Sequence, residues 1–154
     1  MSKKVAIIGI GNTLRRDDGI GIVILESLLN FYKRRGLEYL NFGSASFDLL
    51  HRIKSYDVIL IIDGINAGLE AAELKVGKLK DLRYKLDSCA SSTHELNLKI
   101  FFELSQEMGI KTKIYLAGIQ VKDTSYGAGL SQALEDKKEG LIRQVSLFID
   151  KNFL

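Results

Sequence analysis

Four side chains in this sequence could do chemistry in concert. Asp17 and Asp18 stand side by side in GIGNTLRRDDGIG (Gly9–Gly21), Asp63 closes the apolar run DVILIID, and His94 sits in SSTHEL. Asp18, Asp63 and His94 offer two carboxylate oxygens and one imidazole nitrogen, a set of intermediate softness that suits nickel, zinc, iron or manganese. Three protein ligands leave a coordination position open for water or substrate. Asp17 could act as a general base or orient His94 from behind. Asn12 and the backbone N–H groups of the glycine loop could stabilise a developing oxyanion. Against these roles stands plainer work: an aspartate after a strand commonly closes a turn, and Glu95 lies three residues after Ser92, a capping-box spacing. That spacing predicts a helix beginning at Ser92 with His94 in its first turn. The positive end of the helix dipole would then disfavour imidazolium and keep a lone pair on His94 near neutral pH.

Better-known site patterns do not fit. The dinucleotide fingerprint G-x-G-x-x-G is met by Gly9 and Gly11 but fails at Leu14, and two aspartates would face the pyrophosphate. A phosphate-binding P-loop lacks its Gly-Lys-Ser/Thr ending. The zinc-protease helix H-E-x-x-H starts with His94 and Glu95 and then meets Leu98. No serine–histidine pairing is supported, since Ser91 and Ser92 read as capping residues.

These residues need a frame that brings them together. The chain has 154 residues, enough for one domain (1–154), with 46% hydrophobic and 27% charged residues and a net charge of +3. So weak and scattered a positive charge does not favour nucleic acid. No apolar run is long enough for a membrane span. The single cysteine, Cys89, cannot form an internal disulfide, so a reduced, cytoplasmic setting is expected. KVAIIGI, LEYLNF, DVILIID and TKIYLAGIQV read as strands, and AELKVGKLK as a weaker edge strand. Helices are expected from Gly19 to about Arg34, over SFDLLHRIKS with Ser46 as N-cap, over STHELNLKIFFELSQEMG, and from about Leu130 to the end. The alternation predicts a three-layer α/β/α sandwich with a five-stranded, mostly parallel sheet. In such sheets ligands bind beyond the carboxyl ends of the strands, where Asp18, Asp63 and His94 can converge.

Taken together, GIGNTLRRDDGIG, IIDGI and STHELNL resemble the hydrogenase maturation endopeptidases, which finish the large subunit of nickel–iron hydrogenases. Their opening pattern, G-x-G-N-x-L-x-x-D-[DE]-x-x-G, is matched by Gly9, Gly11, Asn12, Leu14, Asp17, Asp18 and Gly21, and AGIQV…SYGAGLS (Ala117–Ser131) resembles the segment entering their final helix. The resemblance spans nearly the whole chain. It implies a metal-binding triad of Asp18, Asp63 and His94, and removal of a C-terminal extension from the precursor of a nickel–iron hydrogenase large subunit once nickel is inserted. The nickel would be carried by that substrate or bound at the triad, with another divalent metal as the alternative. Bound metal would polarise the scissile carbonyl or acidify a water, or serve recognition alone. Two positions depart from the family pattern: Asn41 stands where many relatives carry an acid, and Val121 where a proline is usual. Two other readings stay open. One is a nickel-sensing or chaperone module that binds without cutting. The other is a receiver-like domain, phosphorylated at Asp63 and served by Asp17, Asp18 and Lys122. Arg15 and Arg16 could steer an acidic tail or serve only as solvated surface.

Overall fold

The computed structural model describes residues 2–43, 46–86 and 97–154, excepting the side chains of 83–86. Strand β1 (Val5–Ile10) is apolar at every position and buried at every position, as a strand covered on both faces must be. The same holds for most of β3 (Val58–Ile65) and for the second half of β5 (Lys113–Gln120). These three form the centre of one five-stranded sheet of order β2-β1-β3-β5-β4. The half-exposed β2 (Leu37–Gly43) and β4 (Leu74–Lys78) take its edges. All neighbours are parallel except β4, which runs antiparallel to β5.

Alternation along the strands divides the core in two. Val5, Ile7, Val58, Leu60 and Ile62 face α1 (Ile20–Phe31) and α5 (Gln132–Phe153), meeting Ile24, Leu28, Leu141 and Val145. Ala6, Ile8, Ile10, Ile59 and Ile61 face the opposite layer, which is α2 (Phe47–Ile53), α3 (Leu79–Leu86) and α4 (Leu98–Glu107). Each fully buried leucine or isoleucine contributes about 1.5–3 kcal/mol, so both helical layers are held mainly by these contacts. The expected three-layer sandwich is what forms. Ser46 caps α2 as expected, its hydroxyl accepting from the Leu49 N–H at 3.2 Å.

Three features differ from the sequence-based expectation. Helix α3 follows β4 with no glycine, proline or capping residue between Lys78 and Leu79, so no local signal separates strand from helix. Helix α4 begins later than expected. Its N-cap is Asn97, extended at φ −76° and ψ 162°, whose side chain accepts from the Ile100 N–H at 2.8 Å. Asparagine is among the strongest N-caps, and it outcompetes the Ser92–Glu95 pattern as the start of this helix. Finally, β3 and β4 are consecutive in the chain but not neighbours, because β5 lies between them. The connection over residues 66–73 crosses the end of β5 and is fixed there. Gln120 accepts from Ala67 N–H at 2.8 Å and Leu69 N–H at 3.2 Å, and donates to Asn66 Oδ1 at 3.2 Å.

No described helix is long and apolar enough to cross a membrane. The C-terminal helix is tied back to the start of β2 by Arg34, whose Nε and Nη2 donate to both oxygens of Asp150 at 2.7 and 3.0 Å.

Candidate active site

The chain leaves β1 for β2 on one side and reaches β3 on the other, so a crevice opens at the carboxyl ends of β1 and β3. This is the topological switch point where α/β sheets bind ligands. Glycines allow the backbone to close around it. A Cβ on Gly21 would stand 2.2 Å from the Ile62 carbonyl oxygen and 2.3 Å from that of Ile10, so α1 begins in direct contact with both strands. Gly11, at φ +145°, turns the loop back on itself, and a Cβ there would meet the Asp18 carbonyl oxygen at 2.1 Å.

That fold-back sets the first acidic position. The Asn12 N–H lies 3.1 Å from both the carbonyl oxygen and Oδ2 of Asp18. A 3₁₀ turn over Arg16–Gly19 then buries Asp17 and Asp18 together. The Asn12 side-chain oxygen accepts from the Leu14 N–H at 2.9 Å, which leaves its exposed amide donors uncommitted among the described residues. Asn12 thus keeps the donors that oxyanion stabilisation requires.

Asp17, expected as a general base or as an orienter of His94, is tied to the opposite loop. Fully buried, it accepts four hydrogen bonds from the loop between β5 and α5. Oδ2 takes the N–H groups of Lys122 and Asp123, both at 2.9 Å, and the Ser131 hydroxyl at 2.7 Å, while Oδ1 takes the Ser131 N–H at 2.7 Å. Such charge-assisted bonds are strong. They make Asp17 an anchor between the turn after β1 and the loop before α5. The neighbouring contacts agree: Arg16 N–H donates to the Gly127 carbonyl at 3.3 Å, and Gly127 N–H to the Leu14 carbonyl at 2.9 Å. In the same loop, the Ser125 hydroxyl and N–H hold the Asp123 carboxyl below the usual carboxylate range, with help from Arg16.

Asp63 is 1% exposed and shares the parity of Ile59, Ile61 and Ile65, on the face that α4 covers. It is followed by Gly64, where a Cβ would meet the Asp17 carbonyl oxygen at 3.2 Å, so the end of β3 and the Asp17–Asp18 turn lie against each other. Asp18, 6% exposed, belongs to that turn, so its backbone stands near the end of the strand that carries Asp63. His94, with Cys89, Ser91, Ser92 and Glu95, lies outside the described residues, and among the described residues no group of three metal-ligating side chains occurs.

The receiver-like alternative is not supported. Its acidic pair would include Asp17, both oxygens of which are taken, and its sheet order would be 2-1-3-4-5, where here β5 precedes β4. Asn41 accepts from the Gly43 N–H at 3.1 Å at the end of β2, where its register against β1 shifts. Val121 donates its N–H to the Ile65 carbonyl at 3.0 Å, a bond proline could not make. Sequence reasoning missed Gln120 and Ser131. Gln120 had a signal of the same kind as Asp63, a polar side chain closing an apolar strand, and it is 5% exposed.

Fold and site together describe an α/β sandwich with a buried acidic pair at its switch point. The family model of the hydrogenase maturation proteases matches residues 22–146. The chain belongs to the hydrogenase maturation protease family. A Methanocaldococcus jannaschii protein, provisionally named a hydrogenase maturation protease, is 31% identical over 130 residues, covering 78% of this chain and 73% of its own. A hydrogenase expression/formation protein of Azotobacter vinelandii is 22% identical over 94% of this chain and 72% of its own. The crystal structure of a nickel–iron hydrogenase maturation protease from Thermococcus kodakarensis superposes with a TM-score of 0.74 at 27% identity, covering 96% of this chain and 93% of that one. The hydrogenase maturating endopeptidase HybD of Escherichia coli shares the fold, with a TM-score of 0.81 at 24% identity over 96% and 93% of the two chains.

Proposed function

We propose that this chain is an endopeptidase that removes the C-terminal extension from the precursor of a nickel–iron hydrogenase large subunit, using a metal held by Asp18, Asp63 and His94. The observation that supports it most is that Asp18 and Asp63 are both buried, Asp18 in the turn that lies against the end of the strand carrying Asp63. Two carboxylates drawn out of water together favour a cation between them, and their oxygens with one imidazole suit nickel and its neighbours. The nickel belongs to the substrate and signals that its precursor is ready to be cut. When bound, the metal supplies a Lewis acid for the scissile carbonyl or a water of lowered pKa.

The remaining work falls to the chain itself. The Asn12 backbone N–H holds Asp18 in place through Oδ2, and its side-chain amide donates to charge developing on the scissile oxygen. Asp17 keeps the loop carrying these groups fixed against the loop before α5. The lone cysteine suits action in a reducing cytoplasm.

The test is intact-mass analysis of a large-subunit precursor, with and without nickel, incubated with the protein and with its His94→Ala, Asp18→Asn and Asp63→Asn forms. A C-terminal peptide should be lost only with nickel and only with the unsubstituted protein. Unchanged mass with a nickel-loaded cognate precursor overturns the cleavage reading, and a stable complex in that case would identify a nickel-sensing or chaperone module.

A further inference from the structure

Beside the crevice, the two loops that Asp17 joins present an unusual set of side chains. Leu14 is 71% exposed and Tyr126 81% exposed, among the most exposed large apolar residues of the chain. They are brought together by the parallel bridge between Arg15 and Gly127, in which the Gly127 N–H donates to the Leu14 carbonyl. The Arg15 guanidinium carbon lies 5.3 Å from the centre of the Tyr126 ring, within cation–π range.

The two adjacent arginines differ in how they are occupied. Arg16 is engaged: it donates to the Ala128 carbonyl at 3.4 Å, stands 3.7 Å from Asp123, and fills the space that a Cβ on Gly127 would need. The Arg15 side chain donates no hydrogen bond and meets no carboxylate among the described residues, and its Nε is buried without a partner. A guanidinium stacked on an aromatic face keeps its N–H edge free for a planar acceptor. Because Asp17 fixes both loops, this surface is held in place before any ligand arrives, which lowers the ordering cost of binding.

We propose that Leu14, Tyr126 and Arg15 form a docking platform for an extended segment of the protein substrate beside the scissile bond, with an apolar side chain on Leu14 and Tyr126 and an acidic side chain on Arg15. The occupant follows from charge complementarity with the uncommitted guanidinium and from continuity with the loop that carries Asn12 and Asp18. The proposal rests on the protease reading above and adds to it the chemistry of the peptide selected.

The probe is a fluorescein-labelled peptide spanning the cleavage junction of a hydrogenase large-subunit precursor, chosen to carry an apolar and an acidic residue within three positions of the junction. Anisotropy would be followed with the full-length protein and with Leu14→Ser, Arg15→Gln, Tyr126→Ala and, as a distant charge control, Arg143→Gln. Leu14 and Tyr126 are exposed, so their truncation removes little packing, and unchanged melting temperatures would confirm that all variants fold. Tyr126→Ala and Arg15→Gln should each weaken binding about ten-fold, as anchors at the centre of an interface do. Arg143→Gln should have no effect. A peptide with its acidic residue changed to glutamine should lose affinity for the wild type and not for Arg15→Gln. Absence of binding, equal binding by all variants, or a protein dimer dispersed by Tyr126→Ala would each overturn the platform. Cleavage is read separately. Normal cleavage with KM unchanged in Arg15→Gln leaves the protease standing and sinks the platform, whereas the predicted binding pattern without cleavage does the reverse.

Discussion

Replacing Asp17 by asparagine tests whether this carboxylate is an anchor or a base. In the native loop Oδ2 receives three donors and Oδ1 one, at 2.7–2.9 Å. An asparagine would best keep its oxygen at the three-donor position, which turns its amide NH₂ towards the Ser131 N–H. One hydrogen bond is then replaced by a donor–donor contact, and the other three lose their charge assistance. Hydrogen bonds to ionised groups contribute about 1.5–3 kcal/mol and neutral ones about 1 kcal/mol, so a net loss of at least roughly 3 kcal/mol is expected. For a domain of this size, at about 2–4 °C per kcal/mol, Tm should fall by at least roughly 6–12 °C. The assay pairs calorimetric Tm with the pH–rate profile of precursor cleavage at a temperature where the variant is folded. An anchor predicts a lower Tm, a reduced rate and an unchanged profile shape. A variant of native Tm that has lost the ascending limb of the profile would refute the anchor and restore Asp17 as the base.

Glycine substitutions should divide sharply. Gly21→Ala places a Cβ 2.2 Å from one backbone oxygen and 2.3 Å from another, neither of which can move alone, so a loss of about 3 kcal/mol or more is expected by urea denaturation. Gly140→Ala, within α5 and with nothing within 4 Å, should instead stabilise by about 0.5–1 kcal/mol in the same assay. Acid sensitivity should come partly from Asp150, whose carboxyl the Arg34 hydrogen bond holds below its ordinary value. A depressed carboxylate pKa contributes stability above its unfolded value of about 4, lost as pH falls through the folded value. Urea midpoints measured from pH 7 to pH 3 should therefore fall less steeply in Asp150→Asn, though modestly, since both side chains are about a third exposed.

Much of the architecture was legible because the central strands carry their own signal. Runs such as VAIIGI and VILII can be satisfied only by burial on both faces, and Ser46 announces α2 through the hydrogen bond it alone can accept. The burial of Asp63 stood out for the opposite reason: a carboxylate in so apolar a strand demands an explanation. Helix α3 was not legible, since Leu79 is buried by contacts with residues distant in sequence and nothing local separates it from β4. The start of α4 was misplaced because Ser92 and Asn97 both satisfy the local rule for an N-cap, and local rules do not rank them.

The sequence by itself determined the strands and four of the helices, the glycines of the opening loop, and the family to which they belong, because these depend on steric limits and periodicity within a few residues. Only the tertiary structure decided that β5 separates β3 from β4, that Asp17 is consumed by Ser131, Lys122 and Asp123, and that, among the described residues, Arg15 is left without a carboxylate while Arg16 is not. Two adjacent aspartates, or two adjacent arginines, are chemically identical along the chain. What sets the role of Asp17 is that the fold brings donors from Lys122, Asp123 and Ser131, more than a hundred residues away, within 3 Å of its carboxylate.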